Sequence, residues 1–341
     1  MIDAAVLVVG GGAIGGVTAA KLTGAVRRVV VLDANREHVE RLRAEGLLLD
    51  DVGAERRVVL DACADPDELD ERFDFALVTL KAAFHHDALP PLREHDAADS
   101  FVSLGNGLVQ DRIADLVGKD RLIAGIVEWG ATNLGPGHLA KTTNGPFVVG
   151  ELDGLPRDRT HRLAEVLQPA GEVRVTDDIR GMIWTKLLVN SVFSGLGAVA
   201  GLLYEEIVAD PDGREVALAM WREGYDVGIA QGLALDRVLG VPAEALVVRA
   251  PEDRARAEPA LERAMEQHGK TKASMLQDLE RGVPTEIDVI DGAVVDRGRA
   301  HGVPTPLHAA VVDLIHAAER GERRPERDGL RQLARRLGNE A

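Results

Sequence analysis

Hydrophobic positions in the first half of the chain alternate between short β-rich runs and helical repeats. Strands are predicted at residues 5–9, 28–32, 75–80, 101–104 and 122–127, with 146–150 and 173–175 extending the set. Helices are predicted between them at 14–22, 37–45 and 110–116. This alternation is typical of a mostly parallel sheet with helices on both faces. It predicts an α/β, doubly wound sheet of the Rossmann type.

The pattern changes near residue 179, where strand signals end and long helical repeats begin. Helices are predicted at 179–203, 212–232, 257–280, 285–301 and 306–319. We therefore expect an N-terminal nucleotide-binding domain over residues 1–178. An all-α domain over 179–341 is expected to serve substrate binding and dimerisation.

Composition narrows the classes of partner and compartment. The net charge of −16 argues against binding nucleic acid or an anionic membrane. Cys63 is the only cysteine, so an internal disulfide is excluded and a reducing, cytoplasmic compartment is expected. No basic residue precedes the apolar residues 4–9, unlike a signal peptide. The apolar stretch 187–203 is too short and polar for a convincing membrane span, which favours a buried helix.

A glycine motif follows the first predicted strand and opens the first helix. It is G-x-G-x-x-G on Gly10, Gly12 and Gly15, with Ala13 and Ile14 between the last two glycines. Such glycines let the backbone turn tightly and approach a pyrophosphate at a helix N-terminus. This context predicts a dinucleotide site.

Asp33 ends the second predicted strand, 18 residues after Gly15, where a carboxylate can bind the adenosine ribose hydroxyls. A 2′-phosphate there would meet repulsion of about 1–4 kcal/mol per unit charge. The position therefore favours NAD(H) over NADP(H). Arg36 leaves both cofactors open, because it could reach a 2′-phosphate or pair with Asp33.

Lys186 and Asn190 lie four residues apart in an otherwise apolar run, so on a helix they share one face. The lysine could extend its ammonium out of a core helix to solvent. Alternatively, it is a partly buried proton donor.

Five segments in order resemble the ketopantoate reductase family. They are VTLK at 78–81, LGNG at 104–107, TKLLVN at 185–190, SMLQD at 274–278 followed by TEID at 285–288, and HGVPTP at 301–306. The resemblance implies NAD(P)H-dependent reduction of a 2-oxo acid to a 2-hydroxy acid, as 2-dehydropantoate is reduced to pantoate. It also makes a homodimer plausible.

The resemblance further implies a role for each matched residue. Lys186 would be the general acid, oriented by Glu286. Asn190 and Ser274 would bind the substrate, while Lys81 and Asn106 would hold the nicotinamide ribose and reacting face. Each matched position also has a simpler interpretation: a surface lysine at 81, a turn at 106, a first-turn acid at 286 and a helix-face hydroxyl at 274.

The chain departs from the family at Ser194, where members usually carry a second asparagine, and Gly195 follows it. Ser194 is expected to bind the substrate through its shorter hydroxyl. Both changes suggest a wider substrate pocket. An alternative function is therefore an NAD-dependent D-2-hydroxy acid dehydrogenase for another branched or aromatic 2-oxo acid. A nucleotide-binding sensor without turnover is a third possibility, which the retained Lys186 and Glu286 oppose.

No metal is expected, because the adjacent His85 and His86 would point apart on a helix.

Overall fold

The computed structural model describes residues 1–339. These residues form two compact units. The N-terminal unit contains residues 1–105 and 109–179, and the C-terminal unit contains 106–108 and the described chain from 180 onward.

The N-terminal unit is built on a mostly parallel sheet. Its strands are β1 (Ile2–Val9), β2 (Val26–Leu32), β3 (Leu47–Asp51), β4 (Ala54–Val58), β5 (Asp61–Cys63), β6 (Phe73–Val78), β7 (Ala98–Ser103), β8 (Leu122–Val127), β9 (Ala131–Gly135), β10 (His138–Lys141), β11 (Phe147–Gly150) and β12 (Val173–Val175). Its helices are α1 (Ala13–Leu22), α2 (Arg36–Glu45), α3 (His85–Glu94), α4 (Gln110–Val117) and α5 (Asp158–Leu167). The main sheet has the order β12-β11-β8-β7-β6-β1-β2-β5, and only the β8–β11 pair is antiparallel.

Apolar runs explain why the predicted strands form the main sheet. Residues 4–9 of β1 are all buried, as expected for a parallel strand covered on both faces. A second sheet, in the order β4-β3-β10-β9, was not predicted. The residues of β4 are exposed or half-buried and mostly charged or polar, so they carry no apolar run.

The C-terminal unit is helical. Its helices are α6 (Ile179–Val189), α7 (Gly195–Ala200), α8 (Tyr204–Ala209), α9 (Pro211–Ala230), α10 (Arg254–His268), α11 (Ser274–Arg281), α12 (Asp291–His301), α13 (Pro306–Glu319) and α14 (Asp328–Asn339). A two-residue hairpin, β13 (Arg237–Val238) with β14 (Val241–Pro242), is the exception.

The predicted helix over 257–280 is interrupted between α10 and α11. There Gly269 lies against Glu205, and a Cβ at Gly269 would sit 2.8 Å from the carboxylate. The predicted fold class, an α/β sheet followed by an all-α domain, is confirmed.

The most apolar helical segment is Ile179–Ala200, which joins α6 and α7 through a π-helical turn, Asn190–Ser194. It is long and apolar enough to cross a membrane by length and composition, but 72% of its most apolar window is buried within the protein. Trp184 is almost fully buried, and its indole N–H donates to the carbonyl of Gly224 at 3.0 Å. These contacts are those of a core helix.

Candidate active site

The glycine motif forms a tight connection between β1 and α1. Gly10 has φ +102°, a value that glycine adopts without strain. At Gly15 a Cβ would lie 2.0 Å from the carbonyl oxygen of Gly10, so only glycine allows this approach. At Gly12 a Cβ would meet no atom within 4 Å. The third glycine is thus required by packing, whereas the second leaves space for a ligand.

Two side chains that sequence reasoning missed hold this connection. The Thr79 hydroxyl oxygen lies 3.1 Å from the carbonyl oxygen of Val9 and 2.8 Å from that of Gly10, and the hydroxyl can donate to either. The buried His38 accepts from the Gly137 N–H at Nδ1 (3.0 Å), so its Nε2 carries the proton and donates to the Gly11 carbonyl at 2.9 Å. Neither residue lies in the glycine motif, which is why the pattern gave no signal for them.

Asp33 and Arg36 lie at the end of β2 and the start of α2. The Asp33 carboxylate accepts from the main-chain N–H groups of Gly11 (2.7 Å) and Asn35 (2.8 Å), which fixes its orientation. Arg36 is exposed, and within residues 1–339 no ion pair joins it to Asp33. The carboxylate therefore lies beside the glycine motif without a paired arginine.

The start of α1 fits the pyrophosphate of a dinucleotide. No side chain caps the helix, and its first turn, which begins at Ala13 and Ile14, contains no acidic residue. The first N–H groups of α1 therefore have neither a side-chain acceptor nor an acidic residue within their own turn. Lys81, half-buried, follows β6 in the same unit.

Lys186, Asn106 and Glu286 form a hydrogen-bonded chain in the C-terminal unit. The Lys186 ammonium donates from Nζ to Asn106 Oδ1 at 3.1 Å. The other end of the same amide, Nδ2, donates to Glu286 Oε2 at 3.3 Å. The charges at both ends fix the amide orientation, since an ammonium only donates and a carboxylate only accepts. Asn106 thus bridges the predicted proton donor and its orienting carboxylate.

A main-chain contact delivers Asn106 to this position. The Leu108 N–H donates to the Val289 carbonyl at 2.8 Å. Gly107 has φ +78°, and a Cβ there would lie 2.4 Å from the same carbonyl. The glycine after Asn106 is therefore needed for the tripeptide 106–108 to pack beside the turn that carries Glu286.

Asn190 and Ser194 lie at opposite ends of the π-helical turn. Four-residue spacing would place both on the face of Lys186, but a π turn inserts an additional residue and rotates the helix beyond it. Asn190 is half-buried, whereas Ser194 is only 1% exposed. The Ser194 hydroxyl lies 3.3 Å from that of Ser274, which is exposed at the start of α11. Ser194 also interacts with the Tyr204 hydroxyl, whose pKa is raised by burial.

Gly195 does not widen a pocket, contrary to the sequence-based expectation. A Cβ at this position would lie 3.2 Å from both Asp291 Oδ2 and Val311 Cγ1. The missing side chain therefore faces α12 and α13 in the core.

Among residues 1–339, no cluster of three or more His, Cys, Asp or Glu side chains is arranged to hold a metal.

Comparison with known proteins assigns the family. The family model described as Ketopantoate reductase PanE/ApbA matches residues 6–154, and its C-terminal counterpart matches 178–319. The 2-dehydropantoate 2-reductase of Mesorhizobium japonicum is 33% identical over 93% of this chain and 98% of its own length. The structure of a PanE/ApbA family ketopantoate reductase from Ralstonia eutropha JMP134 is similar, with a TM-score of 0.78 and 26% identity over 93% of this chain and 99% of that one.

A D-mandelate dehydrogenase, in a ternary structure with NADH and anilino(oxo)acetate, has a similar fold. Its TM-score is 0.79, with 24% identity over 93% of this chain and 99% of that chain. The family models, the relative from Mesorhizobium japonicum and the ordered motifs agree, and the chain belongs to the ketopantoate reductase family.

Proposed function

We propose that this protein uses a nicotinamide cofactor to reduce a 2-oxo acid to the 2-hydroxy acid, with 2-dehydropantoate as the substrate. Membership of the ketopantoate reductase family supports the reaction class. The observation that carries the proposal is the chain from Lys186 through Asn106 to Glu286, which combines a proton donor with an orienting carboxylate.

The reaction needs a proton at the carbonyl oxygen as the carbonyl carbon receives a hydride. When bound, the reduced nicotinamide supplies that hydride. The Lys186 ammonium would stabilise the developing alkoxide and then donate its proton. The Asn106 amide holds the ammonium in one direction, and Glu286 holds the amide. Asn190 and Ser274 would bind the polar groups of the substrate.

For the cofactor, we propose NAD(H) rather than NADP(H). Gly10, Gly12, Ala13, Ile14 and Gly15 would hold the pyrophosphate, and Lys81 and Asn106 would contact the nicotinamide end. The Asp33 carboxylate, held by two main-chain N–H groups, would bind the ribose hydroxyls and repel a 2′-phosphate. Arg36 opposes the choice of NAD(H), because it is exposed and not paired with Asp33 and so could reach a 2′-phosphate.

A second candidate is an NAD-dependent D-2-hydroxy acid dehydrogenase acting on another branched or aromatic 2-oxo acid. Asp33 and the short hydroxyl of Ser194 favour it. The two candidates separate in an assay of NADH and NADPH oxidation with 2-dehydropantoate beside branched and aromatic 2-oxo acids. We expect 2-dehydropantoate and NADH to give the highest kcat/KM. A strong NADPH preference would contradict the assignment of Asp33, and a higher kcat/KM for an aromatic acid would favour the second candidate.

The proton-donor role is tested by Lys186→Ala. General acid catalysis contributes about 10²–10⁴-fold, so kcat should fall by that factor while NADH binding is retained. Lys119→Ala, at a lysine with 82% exposure in the N-terminal unit, is the control and should keep full activity. Full activity in Lys186→Ala would contradict the mechanism.

We further infer a nucleotide-binding domain over residues 1–178 and a substrate domain over 179–341, acting in the cytoplasm as a homodimer. The net charge of −16 supports the absence of nucleic-acid and membrane partners.

A further inference from the structure

The C-terminal unit contains a fully buried acid–histidine pair. Asp291 begins α12, His308 lies in the first turn of α13, and neither is exposed to solvent. His308 Nδ1 is 2.8 Å from Asp291 Oδ1, and its Nε2 is 3.1 Å from the Met220 carbonyl oxygen. No described residue donates to Asp291 Oδ2. His308 is therefore the group that compensates this buried carboxylate.

Counting protons shows that the pair shares one. A carbonyl oxygen only accepts, so Nε2 of His308 must carry a proton. The short contact between Nδ1 and Asp291 Oδ1 requires one more proton, on either atom. The pair is then neutral overall, as imidazolium with carboxylate or as imidazole with carboxylic acid. Loss of that proton would leave two lone pairs facing each other and an uncompensated buried charge.

Burial and the neighbouring charges keep the shared proton on the Asp291–His308 pair. Burial raises the pKa of Asp291 to about 6. Burial acts to lower the pKa of His308, but the hydrogen bond and charge of Asp291, with the charge of Glu223, raise it overall. Glu223 accepts from the N–H groups of Leu307 (3.1 Å) and His308 (3.3 Å), and Arg222 acts on Glu223. Glu223 therefore acts directly on the pair, and Arg222 acts on the pair through Glu223.

The pair connects two segments of the candidate site. Gly195 directly follows the π-helical turn that begins at Asn190. A Cβ added at Gly195 would lie 3.2 Å from Asp291 Oδ2, so the carboxylate packs closely against this part of the helix. In sequence, Asp291 follows Glu286 across the short 3₁₀ turn Ile287–Val289. The pair thus lies where the segment carrying Glu286 contacts the helix carrying Lys186.

We propose that Asp291 and His308 are positioning residues for the oxo acid reduction. Their shared proton holds the start of α12 against the start of α13, and the Asp291 carboxylate thereby packs against the helix at Gly195. That contact keeps Glu286 aligned with Lys186. The inference rests on the proposed function, and it adds that the reaction declines at alkaline pH as the pair loses its proton.

Two single variants and their combination test the pair. In Asp291→Asn the new amide can donate to a neutral His308, so the contact persists without a titrating proton. We expect a kcat close to wild type at neutral pH and a weaker alkaline decline. In His308→Asn, Asp291 stays buried without a compensating charge. Because a displacement of about 1 Å can cost about 100-fold, we expect kcat to fall by ~10- to 100-fold with little change in cofactor KM. The double variant should recover most of that loss.

The exposed pair Asp67–His95 in the N-terminal unit is the matched control, with a 3.4 Å contact and 78% exposure at Asp67. Asp67→Asn should leave kcat and its pH profile unchanged. Wild-type kcat and pH profile in His308→Asn, or no recovery in the double variant, would overturn the inference. Hydrogen exchange of residues 286–291 gives a readout without turnover and should be faster in His308→Asn. If the wild-type protein reduces no 2-oxo acid, the proposed function fails. Unchanged hydrogen exchange in His308→Asn would contradict the positioning role of the pair and would leave the proposed function unaffected.

Discussion

The Asn106 bridge gives a quantitative prediction for Asn106→Asp. The substitution keeps the oxygen that accepts from Lys186 but replaces the amide nitrogen, 3.3 Å from Glu286 Oε2, by a second carboxylate oxygen. Two unit charges at that separation repel by about 5 kcal/mol at an effective dielectric constant of about 20. Since ~1.4 kcal/mol corresponds to one pKa unit, one carboxyl of the new pair should titrate about 3–4 pH units above its usual value.

The consequence is a new ionisation near neutral pH. Below it, the introduced carboxyl and Glu286 together carry one proton and the same charge as the wild-type site. Above it, a second negative charge holds the Lys186 proton more tightly, which makes Lys186 a weaker acid. We therefore expect kcat/KM for 2-oxo acid reduction to fall by ~10-fold or more above this pH and to recover partly below it.

The assay is the pH dependence of kcat/KM for wild type and variant, followed by NADH absorbance. Asn144→Asp is the control, because Asn144 accepts from Lys141 Nζ at 2.9 Å in a similar lysine–asparagine contact outside the site. A wild-type pH profile in Asn106→Asp would refute the bridge. An equal change in Asn144→Asp would show that the effect is not specific to it.

Three substitutions test the fold that supports the site. Gly15→Ala places a methyl group 2.0 Å from the Gly10 carbonyl and should cost about 1–3 kcal/mol of unfolding free energy, lowering Tm and weakening NADH binding. Gly12→Ala has no neighbour within 4 Å and should keep Tm while weakening NADH binding, so an unchanged Kd there would contradict the pyrophosphate site. Trp184→Phe removes the hydrogen bond to Gly224 and buried volume, so urea unfolding should show a loss of about 1–3 kcal/mol. An unchanged unfolding midpoint would contradict that account.

The sequence predicted the main sheet because its strands are buried on both faces. Leu122–Val127 is completely buried and forms β8 with the predicted bounds. The second sheet gave no such signal, since β4 contains Glu55, Arg56 and Arg57 and is mostly exposed. No bounds were predicted for helix α3, because Pro90 and Pro91 lie inside it and proline ordinarily predicts a break.

Within the candidate site, the local sequence indicated chemistry but not geometry. Lys186 was identifiable as a polar residue in an apolar helix. The π-helical turn that separates Asn190 from Ser194 depends on packing within the helical unit, for which i, i+4 spacing gives no signal. The bridge at Asn106 depends on a contact 180 positions away in the chain, at Glu286. Such long-range contacts are not encoded in a short motif.

The packing of residues 106–108 with the helical unit limits how this protein can be recombined. A chimera that joins residues 1–179 of one relative to the remaining residues of another would combine an Asn106 tripeptide and a Val289 turn of different ancestry. Gly107 tolerates little variation at that junction, because a Cβ there would lie 2.4 Å from the Val289 carbonyl. The exchangeable substrate module is therefore discontinuous in the gene, and transplanting it requires a second, three-codon exchange upstream.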